Sequence, residues 1–232
     1  MNKYDNVAPI VRSPAPILLI GAGDLRREDI KIAGNHAQAV VAADGGGAVA
    51  LSHGLMPTAV IGDMDSLSEV ARSDPRIAGR IHPIEDQDST DFDKVMRSVE
   101  APLMLAVGFS GGRLDHHLAV LNVLVRRPDR RCIVLDAEMA VFLCPPGLEM
   151  DLPVGSLFSL FPMGPVGVES AGLRWPTGGI PFRPDSRVGT SNEVSGPVRL
   201  QADGPKMLVL VPKAALGEAV RAVLDAPRWP SP

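Results

Sequence analysis

Apolar residues in this chain fall first into short unbroken runs separated by helical stripes, and later into short runs separated by proline and glycine. In the first part, runs at 17–20, 39–43, 59–61, 103–107 and 132–135 have the length and continuity of strands buried in a parallel sheet, and 80–84 is a further expected strand between the third and the fifth. Between them, helices are expected over 24–33 and 48–53. A third follows the start residues Ser89 and Thr90 and carries an apolar stripe of Val95, Met96 and Val99. A fourth runs from about Arg113 through Leu118, Val120, Leu121, Leu124 and Val125. Ser66 with Glu69 three residues on has the form of a capping box and predicts one more helix start. This alternation defines a mostly parallel α/β sandwich domain.

After Asp136 the helical period nearly disappears. Runs at 140–143, 156–161, 197–201 and 207–211 are punctuated by proline and glycine, which predicts a smaller C-terminal antiparallel β domain, a sandwich or a barrel. A short helix over 214–224 and a frayed, proline-rich end close the chain. The expected organisation is therefore a flexible N-terminal arm at 1–16, an α/β domain at 17–136 and a β-sandwich domain at 137–232. There is no internal repeat.

Composition narrows the function classes. With 232 residues, 45% of them hydrophobic, the chain can bury one large core or two modest ones. A formal net charge of −4 gives no general basic character, so neither nucleic acid nor an anionic membrane is an expected partner. No run approaches the roughly 18 apolar residues of a membrane span. The start of the chain is polar, with Pro9, Pro14 and Pro16, and lacks a leader pattern. Cys132 and Cys144 form neither a paired zinc motif nor a disulfide framework; the expectation is a protein of the reducing cytoplasm with two core thiols.

The chemistry gathers where strands end. The run at 59–61 leads into Gly62-Asp63-Met64-Asp65-Ser66, and in an extended backbone Asp63 and Asp65 project to the same side. Two like charges about 4 Å apart at an effective dielectric near 20 repel by about 4 kcal/mol, so the pair calls for a cation or a proton. Asp44 ends the preceding strand and enters Gly45-Gly46-Gly47, and Asp88 with Asp91 follows the run at 80–84. In a parallel sheet these three strand ends share one edge, where ligands of such sheets bind. Each acid also has a plainer role, Asp44 as a helix cap and Asp63 with Asp65 as an acidic loop. Gly21-Ala22-Gly23 ends the first strand, but Arg26 stands where a dinucleotide fingerprint needs its third small residue. Gly111-Gly112-Arg113 opens a helix, which offers free N–H groups and a guanidinium suited to phosphate. His116 and His117 are taken as hydrogen-bonded structural histidines rather than metal ligands.

In order and spacing, Ala43-Asp44-Gly45-Gly46, Gly62-Asp63-Met64-Asp65-Ser66, Asp88-Ser89-Thr90-Asp91, Gly111-Gly112-Arg113-Leu114-Asp115-His116 and Ser191-Asn192-Glu193 resemble the thiamine pyrophosphokinase family, from about Val41 to Leu210. Met64 stands where that family often has Phe, and Gln87 where many bacterial members have Lys; neither change removes a carboxylate. The resemblance implies an α/β nucleotide-binding domain joined to a β-sandwich, working as a homodimer with active sites shared between subunits. It implies transfer of a diphosphoryl group from ATP to the hydroxyl of thiamine, giving thiamine diphosphate and AMP. Under it Asp44, Asp63, Asp65 and Asp91 form the acidic centre for Mg²⁺. Gly45, Gln87, Asp88, Thr90, Lys94, Gly111, Gly112 and Arg113 join Asp44 around the nucleotide. Asp115 either orients its surroundings near Arg113 or assists the substrate hydroxyl. Trp175, Ser191 and Asn192 are the thiamine-side residues; Trp175 has core packing, and Ser191 and Asn192 turn stabilisation, as their plainer roles. Two other readings stay open: a diphosphokinase for another primary alcohol such as a pterin, and a non-catalytic nucleotide- or thiamine-binding regulator.

Overall fold

A computed structural model of the chain describes residues 8–231. Two compact units follow one another, the first ending at Val123 and the second beginning at Leu124. The residues 1–7 of the expected N-terminal arm lie outside the described residues. In the rest of that arm, β1 (Val11–Arg12) pairs in parallel with β6 (Val99–Glu100), and Val11 is buried.

The first unit is built on five parallel strands in the order β7–β2–β3–β4–β5: β2 (Ile17–Ile20), β3 (Ala39–Ala43), β4 (Ala59–Gly62), β5 (Ile81–Pro83) and β7 (Met104–Val107). Every residue of β2, β4 and β7 is buried, as expected of continuous apolar runs in a covered parallel sheet. The helices are α1 (Arg27–Gly34), α2 (Gly46–Ser52), the single turn α3 (Glu69–Arg72), α4 (Asp91–Ser98) and α5 (Leu114–Arg126). α4 packs on β3 and β4, α2 on β2 and β3, and α1 on β7. The expected α/β architecture with a parallel sheet is present.

Two local expectations are corrected. The first helix starts at Arg27, not near Asp24, because the preceding backbone is tied to another loop. Gly21 N–H donates to the Val107 carbonyl (2.9 Å), Gly23 N–H to Gly108 (2.7 Å) and Asp24 N–H to Ser110 (3.2 Å). The Ser66–Glu69 capping box does not form. Ser68 is the cap of α3, its hydroxyl accepting from Ala71 N–H at 3.3 Å. Ser66 instead donates its N–H to Asp44 Oδ2 (2.9 Å) and its hydroxyl to Asp65 Oδ1 (2.9 Å).

The second unit is antiparallel throughout its ladders. Its strands are β8 (Cys132–Leu135), β9 (Met139–Leu143), β10 (Gly147–Met150), β11 (Leu157–Pro162), β12 (Val168–Leu173), β13 (Gly189–Ala202) and β14 (Met207–Pro212), followed by α6 (Leu216–Asp225). β8 pairs with β9, so although a change of composition after Asp136 suggests a boundary there, the ladder partner of β8 lies within the second unit. The long β13 serves two sheets: its first half pairs with β11 and its second with β10 and β12. The short run expected at 197–201 is only the second half of this strand. The proline-rich end is held rather than frayed, since Trp229 Nε1–H donates to the Cys144 carbonyl at 2.9 Å.

That last contact predicts an effect on stability. Trp229→Phe keeps most of the ring but removes the donor from a carbonyl of a buried residue, a loss of about 1 kcal/mol. The variant should melt about 2–4 °C lower than the parent. An unchanged melting temperature would show that the end of the chain adds nothing to the fold.

Candidate functional site

β2 lies between β3 and β7, so successive connections leave it in opposite directions and open a crevice at the carboxyl ends of the strands. A cavity of about 540 Å³ occupies this edge, lined by residues 21–23, 43–45, 63, 66, 89–92, 108–113, 116 and 120. All belong to the first unit.

Asp44 leaves β3 with φ +42°, a left-handed backbone that is costly for a residue with a Cβ. That turn buries its carboxylate to 2% exposure. Oδ2 accepts from Ser66 N–H, while Oδ1 is buried with no hydrogen-bond partner. Burial, and beyond it the Asp65 and Asp91 carboxylates, outweigh the Ser66 hydrogen bond and push the Asp44 pKa up to about 6.

Asp63 and Asp65 do come together, but not by strand alternation. β4 ends at Gly62, Met64 takes φ +69°, and Asp65 N–H donates to Asp63 Oδ1 at 3.3 Å, so the pair is folded over a tight turn. Met64 is driven inward by this turn and packs with Ala42, Val60, Leu67, Ala71 and Ile77. One carboxylate oxygen from each of Asp44, Asp63 and Asp65 lies within 4.8 Å of the others, with Asp65 on the exposed side. Gly62 permits the approach: a Cβ there would meet Asp44 Cβ at 2.7 Å and Asp91 Oδ1 at 3.1 Å.

Asp91 begins α4 under the cap formed by Thr90, whose hydroxyl accepts from Asp93 N–H. One turn on, Lys94 has a side chain only 1% exposed, and its ammonium donates to Asp63 Oδ2 (2.5 Å) and Asp91 Oδ1 (3.0 Å). Burial would lower the Lys94 pKa, but the two carboxylates outweigh it and raise it. Burial also acts on both acids; at Asp63 the lysine hydrogen bond prevails and the pKa falls, whereas at Asp91 burial prevails and it rises.

On the opposite wall the loop after β7 carries left-handed glycines at 108, 111 and 112 into the N-terminus of the 13-residue α5. At Gly111, φ +79°, a Cβ would meet Asp24 Cβ at 2.5 Å. Arg113 lines the cavity and donates to both oxygens of Asp115, Nε at 3.1 Å and Nη2 at 2.5 Å. This pairing brings Asp115 down to about 2. Asp115 itself is exposed and does not line the cavity.

Of the residues singled out in the sequence, the cavity thus gathers Asp44, Gly45, Asp63, Thr90, Asp91, Gly111, Gly112 and Arg113. Lys94 sits behind them. Gln87 and Asp88 are exposed and do not line it. The structure adds Gly21-Ala22-Gly23, Ser66, Ser89, His116 and a tilted aromatic pair, Phe92 with Phe109, whose ring centroids are 4.8 Å apart. The glycine turn after the first strand was a visible signal for the first of these; the aromatic pair had none, because its members are 17 residues apart in the chain.

The second unit has its own cavity of about 340 Å³, lined by residues 175–177, 180, 182, 187–190 and 192. Trp175 is 53% exposed and does not pack in the core. Its backbone is held on both sides by the buried Asn192: Trp175 N–H donates to Oδ1 (3.1 Å), and Nδ2 donates to the Trp175 carbonyl (2.7 Å). The Arg174 guanidinium carbon lies 4.9 Å from the Trp175 ring centroid. Ser191, at φ +61°, is exposed and does not line the cavity; its N–H donates to Ser159 Oγ.

Fold and site define a class, that of two-part chains with an acidic centre at the carboxyl edge of a parallel sheet and an antiparallel β unit after it. Two family models match this chain: the thiamin pyrophosphokinase catalytic domain over residues 31–135 and the thiamin pyrophosphokinase vitamin B1 binding domain over 148–207. The chain belongs to the thiamine pyrophosphokinase family. It is 30% identical to thiamine pyrophosphokinase 1 of Arabidopsis thaliana over 165 residues, 63% of this chain and 62% of that protein. The match thus spans less than two thirds of that relative's length. The fold is similar to yeast thiamin pyrophosphokinase, with a TM-score of 0.67, 18% identity and coverage of 97% of this chain and 96% of that one. It is likewise similar to thiamine pyrophosphokinase from Bacillus subtilis, with a TM-score of 0.68, 19% identity and coverage of 85% and 98%.

The raised pKa of Asp44 has a signed consequence. The folded chain holds this proton to a higher pH than the unfolded chain does, so Asp44 makes stability fall as pH rises from about 4 to about 6. In metal-free buffer, Asp44→Asn should remove that decline and leave the variant more stable than the parent at pH 7, by about 1–3 kcal/mol. Denaturant titrations of both proteins at pH 4, 5, 6 and 7 test this; parallel curves would mean that Asp44 titrates normally.

Proposed function

We propose that this chain is a thiamine pyrophosphokinase, transferring a diphosphoryl group from ATP to the hydroxyl of thiamine to give thiamine diphosphate and AMP. The thiamine oxygen bonds to the β-phosphorus, the bond from that phosphorus to the α-phosphate oxygen breaks, and the hydroxyl proton is released. The observation that carries the reading is the unpartnered, buried Asp44 Oδ1 within a cluster of three carboxylates beside the cavity.

Such a donor set fits a hard divalent cation, Mg²⁺ in this reading, held by Asp44, Asp63 and Asp65 with Asp91 adjoining. Bound there, Mg²⁺ offsets the charge of the phosphates and of the transition state. The chain's own groups supply position. Lys94 holds Asp63 and Asp91 in place rather than touching the nucleotide. The loop at Gly111 and Gly112 and the start of α5 present backbone N–H groups to phosphate, with Arg113 as a planar cation. Gly45 and Thr90 complete the nucleotide wall, and Gln87 with Asp88 belongs to the loop that carries Thr90. Asp115 orients Arg113, since both its oxygens are engaged by the guanidinium. Trp175 offers an exposed aromatic face to the thiazolium cation, with Asn192 fixing its backbone and Ser191 next in the same strand.

Family membership also supports a homodimer with active sites shared between subunits, which sedimentation at assay concentration tests. A cytoplasmic location is part of the same reading. Both cysteines are buried free thiols, and among the described residues no helix is long and apolar enough to cross a membrane.

The decisive experiment supplies ATP and magnesium chloride with thiamine, with a hydroxymethylpterin, or with no acceptor, and measures AMP and the diphosphorylated product. Thiamine-dependent AMP release supports the proposal; release only with the pterin, or with no acceptor at all, overturns it. Asp65→Asn should abolish this turnover while leaving the melting temperature unchanged or higher, because it removes one of several repelling charges. Trp175→Ala should raise the Michaelis constant for thiamine by at least about tenfold with little change in that for ATP. A folded variant with an unmoved thiamine constant would remove Trp175 from the acceptor site.

A further inference from the structure

Behind the cavity lies a second charged group that the proposed chemistry does not use. The side chains of Asp86, Asp93 and Arg97 are all nearly inaccessible, at 3%, 1% and 6% exposure. Arg97 Nη2 lies 2.9 Å from Asp86 Oδ2, and Nη1 lies 3.8 Å from Asp93 Oδ2. Asp86 belongs to the loop between β5 and α4, and Asp93 to the first turn of α4. One guanidinium therefore clasps the two ends of the segment that carries Ser89, Thr90 and Asp91, three residues of the cavity wall.

The ties from this group to the wall are direct. Asp86 Oδ1 accepts from Asp88 N–H at 3.1 Å, and Asp86 Oδ2 accepts from the Ser89 hydroxyl at 2.7 Å. Burial would raise the Asp86 pKa, but the Ser89 hydroxyl, the Arg97 guanidinium and the Asp88 N–H outweigh it and bring it to about 2. The ionised carboxylate can only accept, so Ser89 spends its one hydrogen inward and presents lone pairs elsewhere. Thr90 differs: its oxygen accepts from Asp93 N–H, which holds the hydroxyl in place and leaves its hydrogen to donate. Buried ion pairs add little net stability compared with apolar groups of similar volume, so stability is a weak reason for this one.

We propose that Arg97, through Asp86 and Asp93, is a positioning residue for the nucleotide: it fixes Ser89 as an acceptor and keeps the Thr90 hydroxyl in place with its hydrogen available to donate on the cavity wall. The groups that meet them are of matching chemistry, a hydroxyl or amino donor of the nucleoside at Ser89 and a phosphate or ribose oxygen at Thr90. The inference rests on the nucleotide reading of this cavity.

Arg97→Lys tests it, because the charge stays buried and paired while the two-ended clasp is lost. Equilibrium binding of ATP with magnesium chloride, thiamine omitted so that nothing turns over, should weaken by about tenfold. The Michaelis constant for ATP should rise with it while that for thiamine stays put, whereas general loosening would move both. Ser89→Ala, which removes the wall hydroxyl but keeps the buried Arg97–Asp86 ion pair, provides the same measurement should the lysine variant not fold, with an expected weakening of about threefold to fivefold. Parental ATP affinity in the folded variants, or equal losses for ATP and thiamine, overturns the proposal. Absence of ATP binding by the unaltered chain overturns the proposed function and this inference together.

Discussion

The buried ammonium of Lys94, set between Asp63 and Asp91, is the interaction on which the rest of the site depends. Four carboxylates converge at one edge of the sheet, and each close pair repels by a few kcal/mol at protein-like dielectric. A single cation one turn into α4 offsets part of that repulsion from the protein side, where water does not compete. It holds Asp63 and Asp91 together and leaves Asp44 Oδ1 as the buried acceptor without a partner. The charge of the site is thus offset in part by a permanent counter-ion behind it, while Asp44, Asp63 and Asp65 keep their oxygens clustered in front.

Local backbone strain marks the same places. Among the described residues, Asp44, Met64 and Ser191 are the non-glycine residues with positive φ, and each lies in a motif shared with the family. At Asp44 the left-handed turn aims the carboxylate inward at the Ser66 N–H. At Met64 it folds the chain so that the flanking aspartates face one cluster while the methionine anchors the turn in the core. Conformations that cost about 1–3 kcal/mol each persist because surrounding contacts fix them.

The segment from 86 to 97 links these features. Its helix carries two buried cations, Lys94 and Arg97, each engaged with acids on either side of the cavity wall. Lys94 joins the wall to the strand end at Asp63, and Arg97 joins the loop at Asp86 to the helix at Asp93. A short helix packed on β3 and β4 can therefore register the four cavity residues at 89–92 against the acidic cluster.

Much of this was legible along the chain, and for definite reasons. Buried parallel strands are continuous apolar runs, so β2, β3, β4 and β7 could be placed within a residue of their ends, and the acids after them had to share an edge. Short strands between prolines and glycines marked the antiparallel second unit, and five ordered motifs marked the family. The remainder depended on contacts between residues far apart in sequence. The start of α1 was displaced by hydrogen bonds to a loop some 85 residues on, and Ser66 gave up its capping role for Asp44. β12 and the first half of β13 have the polar composition of loops and become strands only by pairing, β12 with the second half of β13 and the first half of β13 with β11. By itself the sequence determined the order of elements, the acids at the strand ends and the family. Tertiary structure alone decided which acid keeps a free oxygen, that the two lysine and arginine side chains of α4 turn inward, and that Trp175 stands exposed, because burial and pairing are properties of surroundings that no local pattern encodes.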